Sequence, residues 1–238
     1  KILTRRVYKT YNLIMETLYE KYKNIKDEQI KQRFEKYYEL LIQWNEKFNL
    51  TAITEKTAVE IKHFADSLAA SEIIKGKVID IGAGAGFPSI PLKIVNPSLY
   101  ITMIDSSNKR VTFLKEVIEQ LGLEKAEAMH SRAEDLKERE CFDFAVARAV
   151  APLSTLAEYL IPFVKKGGKM IAYKSDNIEE EMKEAKTAIK ILGGTKTEVI
   201  KIPLDSETVR SLVIVTKGRP TPKKYPRGAN KPRLNPLK

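Results

Sequence analysis

Hydrophobic and polar residues divide the chain into a helical first part and an alternating second part. In residues 1–60, aromatic and apolar residues recur at intervals of three and four, which places one stripe of them on a single helix face: Phe34, Tyr37, Tyr38, Leu41, Trp44 and Phe48. We interpret this stripe as core rather than as a base-stacking surface. Asn49 tolerates the left-handed conformation and is predicted to end the helix. Thr57-Ala-Val-Glu60 has capping-box spacing and predicts the start of the next helix, which carries His63 and Asp66.

From residue 77 onward, short apolar strands alternate with helices. The predicted strands are residues 77–81, 100–104, 126–130, 142–147, 169–173, 197–202 and 211–216. The predicted helices are residues 87–95, 109–121, a short one from 132, 152–160 and 177–192. This alternation predicts an α/β fold with a mostly parallel sheet covered on both faces. The last two strands have no helix between them, so we expect an antiparallel strand at one edge of a seven-stranded, doubly wound sheet.

Charge separates a third region from these two. Residues 217–238 hold eight basic residues, no acidic one and five of the eleven prolines, in a chain of net charge +11. A basic segment interrupted by prolines is typical of contact with a polyanion such as RNA or DNA, and a disordered solubilising tail is the alternative. We therefore divide the chain into a helical subdomain (1–60), an α/β domain (61–216) and a basic tail (217–238).

Composition excludes several classes of protein. One cysteine and two histidines exclude a disulfide framework and make a structural zinc site improbable, so we assign no metal. No run of about 18 uncharged apolar residues indicates a membrane span. The basic N-terminal residues are followed by no apolar stretch, so we predict no signal peptide. We expect a cytoplasmic protein, and a monomer.

The most informative motif follows the first predicted strand and reads Asp80-Ile-Gly-Ala-Gly-Ala-Gly-Phe87. Glycines at this place let the backbone approach a ligand. The spacing is GxGxG rather than the GxGxxG of dinucleotide sites, and a carboxylate before the glycines would repel a pyrophosphate. S-adenosylmethionine carries an ammonium and a sulfonium group, which an acid attracts. We therefore predict that Asp80, Gly82 and Gly84 bind S-adenosylmethionine.

Two further positions fit the same cofactor. Asp105 ends the second predicted strand, where its two oxygens can accept both ribose hydroxyls. Ala133 and Glu134 follow the third strand, where such folds meet the adenine, although an Ala-Glu pair in a short helix is ordinary by itself.

The residues that follow the fourth strand limit the chemistry. Methylation of exocyclic amines uses a D/N-P-P-Y segment there, whereas this chain has Ala147-Arg-Ala-Val150. Methylation of pyrimidine carbon 5 needs a cysteine nucleophile beside the donor. Cys141 stands at the opposite end of that strand, and we interpret it as a small buried residue. Guanine N7 has a free lone pair and needs no general base, so the sequence is consistent with N7 methylation.

Two cations are predicted at the mouth of the site. Arg148 ends the fourth strand and Lys174 ends the fifth, its expected neighbour. Together they suit a phosphate-rich substrate and are the only candidates we name for a catalytic role, through positioning and electrostatics. A salt-bridged Arg148 and a surface Lys174 are the alternatives.

At this point six segments, in chain order, resemble the RsmG family (glucose-inhibited division protein B). They are Asn49-Leu-Thr-Ala-Ile-Thr54, His63-Phe-Ala-Asp-Ser-Leu68, Asp80-Ile-Gly-Ala-Gly-Ala-Gly-Phe-Pro88, Asp105-Ser-Ser-Asn-Lys-Arg110, Arg148-Ala-Val-Ala-Pro152 and Thr221-Pro-Lys-Lys-Tyr-Pro-Arg227. The resemblance covers residues from about 35 to the end of the chain. It implies a Rossmann-like class I methyltransferase that uses S-adenosylmethionine to methylate guanine N7 in small-subunit ribosomal RNA.

The resemblance also implies site residues. Gly82, Phe87, Ala133, Glu134 and Arg148 would contact the cofactor. The substrate, ribosomal RNA or a small-subunit particle, is expected to contact a set of cations: Arg110, Lys174, Lys223, Lys224 and Arg227.

The tail and two other residues carry expectations of their own. We expect the tail to lie beside the cofactor site, and deletion of residues 219–238 to weaken RNA binding far more than cofactor binding. His63 and Asp66 either tie the N-terminal helices to the sheet or contact the substrate.

Three other functions stay open at this point. A ribose 2′-O-methyltransferase fits Lys174, but Arg148 stands where its catalytic acid is expected. A nicotinamide-dependent oxidoreductase conflicts with Asp80 and the glycine spacing. A noncatalytic RNA-binding module would explain the charge but not the two acids.

Overall fold

The computed structural model describes residues 17–148 and 151–237. Within these ranges, seven strands form one sheet. They are β1 (Lys77–Ile81), β2 (Tyr100–Asp105), β3 (Ala126–His130), β4 (Phe142–Arg148), β5 (Val164–Lys174), β6 (Gly194–Pro203) and β7 (Val209–Lys217). Predictions that concern residues 1–16, Ala149, Val150 and Lys238 lie outside the described residues. The predicted α/β fold is confirmed.

The strand order is β3-β2-β1-β4-β5-β7-β6, and β7 is antiparallel to both of its neighbours. The prediction of an antiparallel strand at the edge is therefore wrong in its place, because β7 lies one position inside the edge. Its middle residues, 212–215, are continuously apolar and buried, whereas β6 is buried only at Gly194 and holds two lysines and a glutamate. The more apolar strand takes the inner position because it is covered on both faces.

Eight helices surround the sheet in the described part of the chain. They are α1 (Leu18–Lys23), α2 (Glu28–Phe48), α3 (Lys56–Val59), α4 (Ser89–Val95), α5 (Asn108–Gln120), α6 (Leu153–Leu160), α7 (Glu179–Leu192) and α8 (Lys231–Leu234). A π-helical turn, Glu60–Ala65, continues α3, and short 3₁₀ turns follow at Leu68–Ala70, Ala133–Asp135 and Ile161–Phe163.

Alternate residues of the strands point into two hydrophobic layers. Val78 of β1 packs into the layer that contains buried residues of α1, α2, α4 and α5. Ile79, the next residue, packs into the layer that contains α6 and α7. This period of two is the pattern expected of a sheet covered on both faces. The N-terminal helices thus share a core with the sheet.

The N-terminal predictions have mixed outcomes. Phe34, Tyr37 and Leu41 are buried and Tyr38 and Trp44 pack against the core, which confirms most of the stripe, whereas Phe48 is exposed. Asn49 ends α2 with a φ of 48°. The predicted capping box at Thr57 is wrong. Glu55 caps α3 instead, since its carboxylate accepts hydrogen bonds from the backbone N–H groups of Thr57 and Ala58.

Cys141 is exposed, so its interpretation as a buried residue is also wrong. It precedes β4 and therefore lies outside the sheet, at the amino end of the strand. The burial of apolar residues begins one position later, at Phe142.

Candidate functional site

The carboxyl ends of β1, β2 and β4 border one cleft, at the point where the strand order reverses on either side of β1. Two adjoining hollows form this cleft, and they share a border made by Gly82, Asp105, Ser106 and Arg233. The first hollow extends along the turn that follows β3. The second extends between the glycine turn and the π-helical turn.

The glycine turn is held rigidly between β1 and α4. The backbone N–H groups of Gly82 and Ala83 both donate to the carbonyl of Ile104, at 2.8 and 3.0 Å. Gly84 has a φ of +61°, which favours glycine. At Gly86 a Cβ atom would lie 2.8 Å from the Tyr37 hydroxyl, so a side chain has no room there.

Tyr37 is a supporting residue that the sequence did not identify as part of the site. Its buried hydroxyl donates a hydrogen bond to the carbonyl of Ala85, inside the glycine turn. The helical stripe predicted that Tyr37 is core but gave no sign of this bond, because it joins residues 48 positions apart in sequence. Thus a bond from α2 holds the turn whose glycines are predicted to bind the cofactor.

Asp80 is fully buried, and neither of its carboxylate oxygens has a hydrogen-bond partner among the described residues. Burial raises the pKa of Asp80 to about 7, an effect that the nearby Ser89 hydroxyl and the positive charge of Arg148 oppose. A buried carboxylate without a partner is costly, and a cationic ligand removes that cost. The ammonium group of S-adenosylmethionine is such a ligand.

Asp105 is placed differently, at the border of the two hollows. Its Oδ2 accepts a hydrogen bond from the Gly84 N–H at 2.9 Å, and its Oδ1 accepts one from the Ser107 N–H at 2.9 Å. The Arg110 guanidinium lies 3.5 Å from Oδ2. Each carboxylate oxygen has a second lone pair, so Asp105 can still accept ribose hydroxyls. The bond from the Gly84 N–H also means that Asp105 helps to hold the glycine turn in place.

Ala133 and Glu134 line the first hollow, together with Tyr159 of α6. They belong to the 3₁₀ turn Ala133–Asp135, where a short helix was expected, and the Glu134 side chain is nearly buried. The structure therefore brings Gly82, Asp105 and this pair to one surface. It assigns none of them a ligand contact by itself.

Arg148 lines the second hollow and is held by contacts with Asp66, Lys62, Phe87 and His63. It donates to Oδ2 of Asp66 at 2.8 Å and to the carbonyl of Lys62 at 3.1 Å, and its guanidinium lies 4.8 Å from the centre of the Phe87 ring. Arg210 of β7 donates to the same fully buried Asp66 at 2.5 and 2.8 Å. Asp66 thus ties the π-helical turn to β4 and β7, which is the first of the two roles that the sequence left open.

His63 also faces the second hollow. Its ring stacks on Phe87 with centroids 4.5 Å apart, and its Nε2 lies 2.8 Å from Oγ1 of Thr51. Nδ1 of His63 lies 3.2 Å from the Arg148 guanidinium and 3.1 Å from the carbonyl of Lys62. Burial, together with the charge of Arg148, lowers the pKa of His63 to about 4. His63 is therefore neutral at neutral pH.

Lys174 does not line the cleft, although β5 lies beside β4 as predicted. Its ammonium group pairs with Glu181 of α7 at 2.6 Å and donates to the carbonyl of Ala151 at 2.9 Å. Its side chain is only 13% exposed. These contacts place Lys174 in an ion pair and give no support to the predicted contact with RNA.

The tail is docked onto the domain, and the surroundings differ among its predicted RNA contacts. Arg227 forms a bidentate pair with the buried carboxylate of Glu158, at 2.7 to 3.2 Å. These bonds involve its Nε and Nη2 atoms and give Arg227 a structural role, and its contact with RNA stays a prediction. Lys223 and Lys224 are exposed and keep their predicted role.

Two other tail residues, Asn230 and Arg233, border the cleft. The sequence did not single them out, because neither belongs to a motif. The helix α8 has only one turn and is too short to show periodicity. The tail thus lies beside the predicted cofactor site, as expected. That deletion of the tail weakens RNA binding far more than cofactor binding stays a prediction.

The residues present fit the predicted cofactor, since an unpartnered buried acid and an open glycine turn lie at the strand ends. No group of ligating side chains within residues 17–148 and 151–237 is arranged to hold a metal. No helix in those ranges is long and apolar enough to cross a membrane. The sheet order, the glycine turn and the acid that ends β2 define a class I S-adenosylmethionine-dependent methyltransferase.

Comparison with known proteins narrows this class to one family. The family model described as GidB, rRNA small subunit methyltransferase G, matches residues 30–209. Ribosomal RNA small subunit methyltransferase G of Lactococcus lactis subsp. cremoris is 49% identical over 225 residues, which are 90% of this chain and 93% of that protein. The protein of that name from Thermoanaerobacter sp. is 53% identical over 216 residues, 87% of this chain and 90% of its own. This chain belongs to the rRNA small subunit methyltransferase G family, which confirms the resemblance.

Solved structures are similar in fold. A S-adenosylmethionine-dependent methyltransferase from Aquifex aeolicus has a TM-score of 0.53 and 17% identity, and the match covers 70% of this chain and 96% of that one. An S-adenosylmethionine-dependent O-methyltransferase from Thermotoga maritima has a TM-score of 0.53 and 16% identity, with 76% of this chain and 73% of that one covered. At such identities the likeness concerns the fold alone.

Proposed function

We propose that this protein transfers the methyl group of S-adenosylmethionine to N7 of a guanine in small-subunit ribosomal RNA. Family membership supports a ribosomal RNA substrate, since the relatives are named for the small subunit. The observation that carries the choice of atom is the state of His63, the histidine of the cleft. Its pKa of about 4 makes it a weak base, and the Arg148 guanidinium lies 3.2 Å from its Nδ1.

A base is needed to methylate an amine or a hydroxyl group, because the nucleophile must lose a proton. Guanine N7 attacks with a free lone pair and needs none. When bound, S-adenosylmethionine supplies an electrophilic methyl group on a sulfonium. The residues of the cleft then have to orient the two reactants and exclude water, which supplies a large part of such a rate enhancement. The rigid glycine turn and the clamped Arg148 suit this positioning role.

The ribose 2′-O-methyltransferase alternative depended on Lys174 as the group beside the reacting hydroxyl. Lys174 is paired with Glu181 and lies outside the lining of the cleft. This observation favours N7 over the ribose oxygen.

We assign Asp80, Gly82, Gly84 and Asp105 to the cofactor, and we extend this assignment to the other cleft residues predicted above: Phe87, Ala133, Glu134 and Arg148. Exposed Arg110, Lys223 and Lys224 are assigned to RNA phosphates. Because the substrate is ribosomal, we place the enzyme in the cytoplasm, and we expect it to act as a monomer.

The test uses the purified protein, S-adenosylmethionine with a labelled methyl group, and small-subunit RNA or particles from cells that lack the enzyme. The RNA is digested to nucleosides and the label is identified by chromatography and mass spectrometry. We expect the label in 7-methylguanosine. Label in a 2′-O-methyl nucleoside would contradict the proposal and support the alternative.

A further inference from the structure

The segment 227–235 of the tail, which we call the latch, is fastened to α6 at two points. The buried carboxylate of Glu158 accepts from the backbone N–H of Arg227 at 2.8 Å and from its guanidinium. The hydroxyl of Thr155, three residues earlier on α6, donates to the carbonyl of Pro232 at 3.0 Å. Both Thr155 and Pro232 are buried, so this attachment excludes water.

The latch is also braced against itself. The Arg227 guanidinium donates to the carbonyl of Asn235 at 2.8 Å, which joins the two ends of the segment. Asn230 precedes α8 in the left-handed conformation, with a φ of 58°. A segment fixed at both ends and along α6 has a defined position relative to that helix.

This position brings the latch to the predicted cofactor cleft. Asn230 and Arg233 line the first hollow beside Tyr159, which follows Glu158 directly on α6. Arg233 lines the second hollow as well, where it shares the border with Gly82 and Asp105. Burial raises the pKa of Tyr159, and the charge of Arg233 opposes this rise, as expected for a guanidinium close to the phenol.

We propose that the latch forms one wall of the S-adenosylmethionine site, that Arg233 contacts the bound cofactor, and that the Arg227–Glu158 pair positions Arg233. The inference rests on the proposed function, because it takes the cleft to be the cofactor site. The cleft also presents the carboxylates of Asp105 and Glu134, and Arg233 adds a positive group to their border. The cofactor carries both a cation and a carboxylate, so a cleft with both charges is complementary to it.

The experiment measures binding of S-adenosylhomocysteine by calorimetry to the full chain and three variants. Arg233→Ala removes the proposed contact. Glu158→Gln keeps the size of the side chain but removes the ion pair. Arg219→Ala is the matched control, since it removes an exposed tail arginine that donates to the carbonyl of Lys190 and does not line the cleft.

We expect Arg233→Ala to weaken binding by about tenfold or more, the scale of a hydrogen bond to a charged group. Glu158→Gln should weaken it by a smaller factor, and Arg219→Ala should leave it unchanged. Equal affinity of Arg233→Ala and the unaltered protein would overturn the proposal. So would a loss in Arg219→Ala as large as that in Arg233→Ala.

A second measurement needs no variant and guards against misfolding. Hydrogen exchange of the unaltered protein should slow in residues 228–235 when S-adenosylhomocysteine is added, as it should in the glycine turn. Protection of the glycine turn without protection of the latch would overturn the latch and leave the proposed function intact. Failure of the unaltered protein to bind S-adenosylhomocysteine would refute both.

Discussion

Two fully buried carboxylates lie close to the same end of the sheet, and their surroundings are opposite. Asp66 accepts from two arginines, Arg148 and Arg210, at distances of 2.5 to 2.8 Å. Asp80, at the end of β1, has no hydrogen-bond partner for either oxygen among the described residues. The protein itself supplies the hydrogen-bond partners of Asp66, whereas Asp80 has no such partner in the described part of the chain and could accept one from a ligand.

The difference indicates that Asp66 stabilises the fold and that Asp80 is suited to binding a ligand. A buried charge is tolerated in a fold when its partners are supplied, and a missing partner is costly. Asp66 has its partners and holds the π-helical turn to β4 and β7. Asp80 bears the cost of burial, which its raised pKa reflects, and we propose that the ammonium group of S-adenosylmethionine is the missing cation. Removing the charge of Asp66 should therefore lower the free energy of unfolding, and removing that of Asp80 should raise it.

The largest effect is expected at Asp66. Asp66→Ala leaves Arg148 and Arg210 without their buried counterion, so the free energy of unfolding should fall by about 3–5 kcal/mol. Urea denaturation measures this fall. Glu180→Ala, which removes an exposed pair with Lys183, is the control and should cost well under about 1 kcal/mol. A similar small cost for both variants would contradict the assigned role of Asp66.

In the ligand-free protein, the ionised Asp80 carboxylate should lower the free energy of unfolding. Its folded-state pKa, about 7, lies above the ordinary value of 3.8, so the folded protein holds the proton more tightly and loses stability as the pH rises from about 4 to 7. Asp80→Asn cannot ionise and should be more stable than the unaltered protein at pH 8. The gain is up to about 4 kcal/mol, at about 1.36 kcal/mol for each unit of pKa.

Thermal or urea denaturation at pH 8 and pH 5 measures this gain. At pH 5 the gain should be smaller, about 1.6 kcal/mol, because the pH is then only about 1.2 units above the ordinary pKa of 3.8. A variant that is less stable than the unaltered protein at pH 8 would show that Asp80 has a partner within the fold.

A third acid sharpens the comparison, because Asp105 has both protein partners and a place on the cleft. Asp105→Ala should weaken S-adenosylhomocysteine binding by about 1.5–3 kcal/mol, the scale of hydrogen bonds to a charged group. Calorimetry measures the affinity, and circular dichroism checks that the fold is intact. Unchanged affinity would remove Asp105 from the cofactor site.

The smallest effect concerns the exposed cations of the tail. Replacing Lys223 and Lys224 by Ala should make the slope of log affinity against log salt less steep by about 1.4 on single-stranded RNA, at about 0.7 for each phosphate contact. A salt titration of RNA binding measures both slopes. The same double variant should bind S-adenosylhomocysteine normally, since neither lysine lines the cleft. Equal slopes for the two proteins would mean that these lysines contact solvent and not RNA phosphates.

The sequence predicted most of the fold and the acids near the carboxyl ends of β1 and β2, because both depend on local pattern. Strand and helix periods located all seven strands, and the spacing of Asp80 and the glycines pointed to the ligand class. Local pattern also placed Arg148 and Lys174 on neighbouring strands. It could not show that one faces the cleft and the other pairs with Glu181.

What the sequence missed depends on contacts between distant parts of the chain. The bond from Arg227 to Glu158 joins residues 69 positions apart and attaches the tail to α6. The place of β7 inside the edge depends on which of two strands is more apolar on both faces. Arg233 enters the cleft only because the latch docks on α6.

The central claim is that the unpartnered Asp80 carboxylate is the cation site of the cofactor, and the pH dependence of S-adenosylhomocysteine affinity tests it most directly. The carboxylate must be ionised to bind an ammonium group, so affinity should fall by about tenfold for each pH unit below about 7. Asp80→Asn should bind more weakly at pH 7.5 and lose this dependence. An affinity that is constant from pH 5.5 to 7.5, or a variant that binds as tightly as the unaltered protein, would contradict the claim.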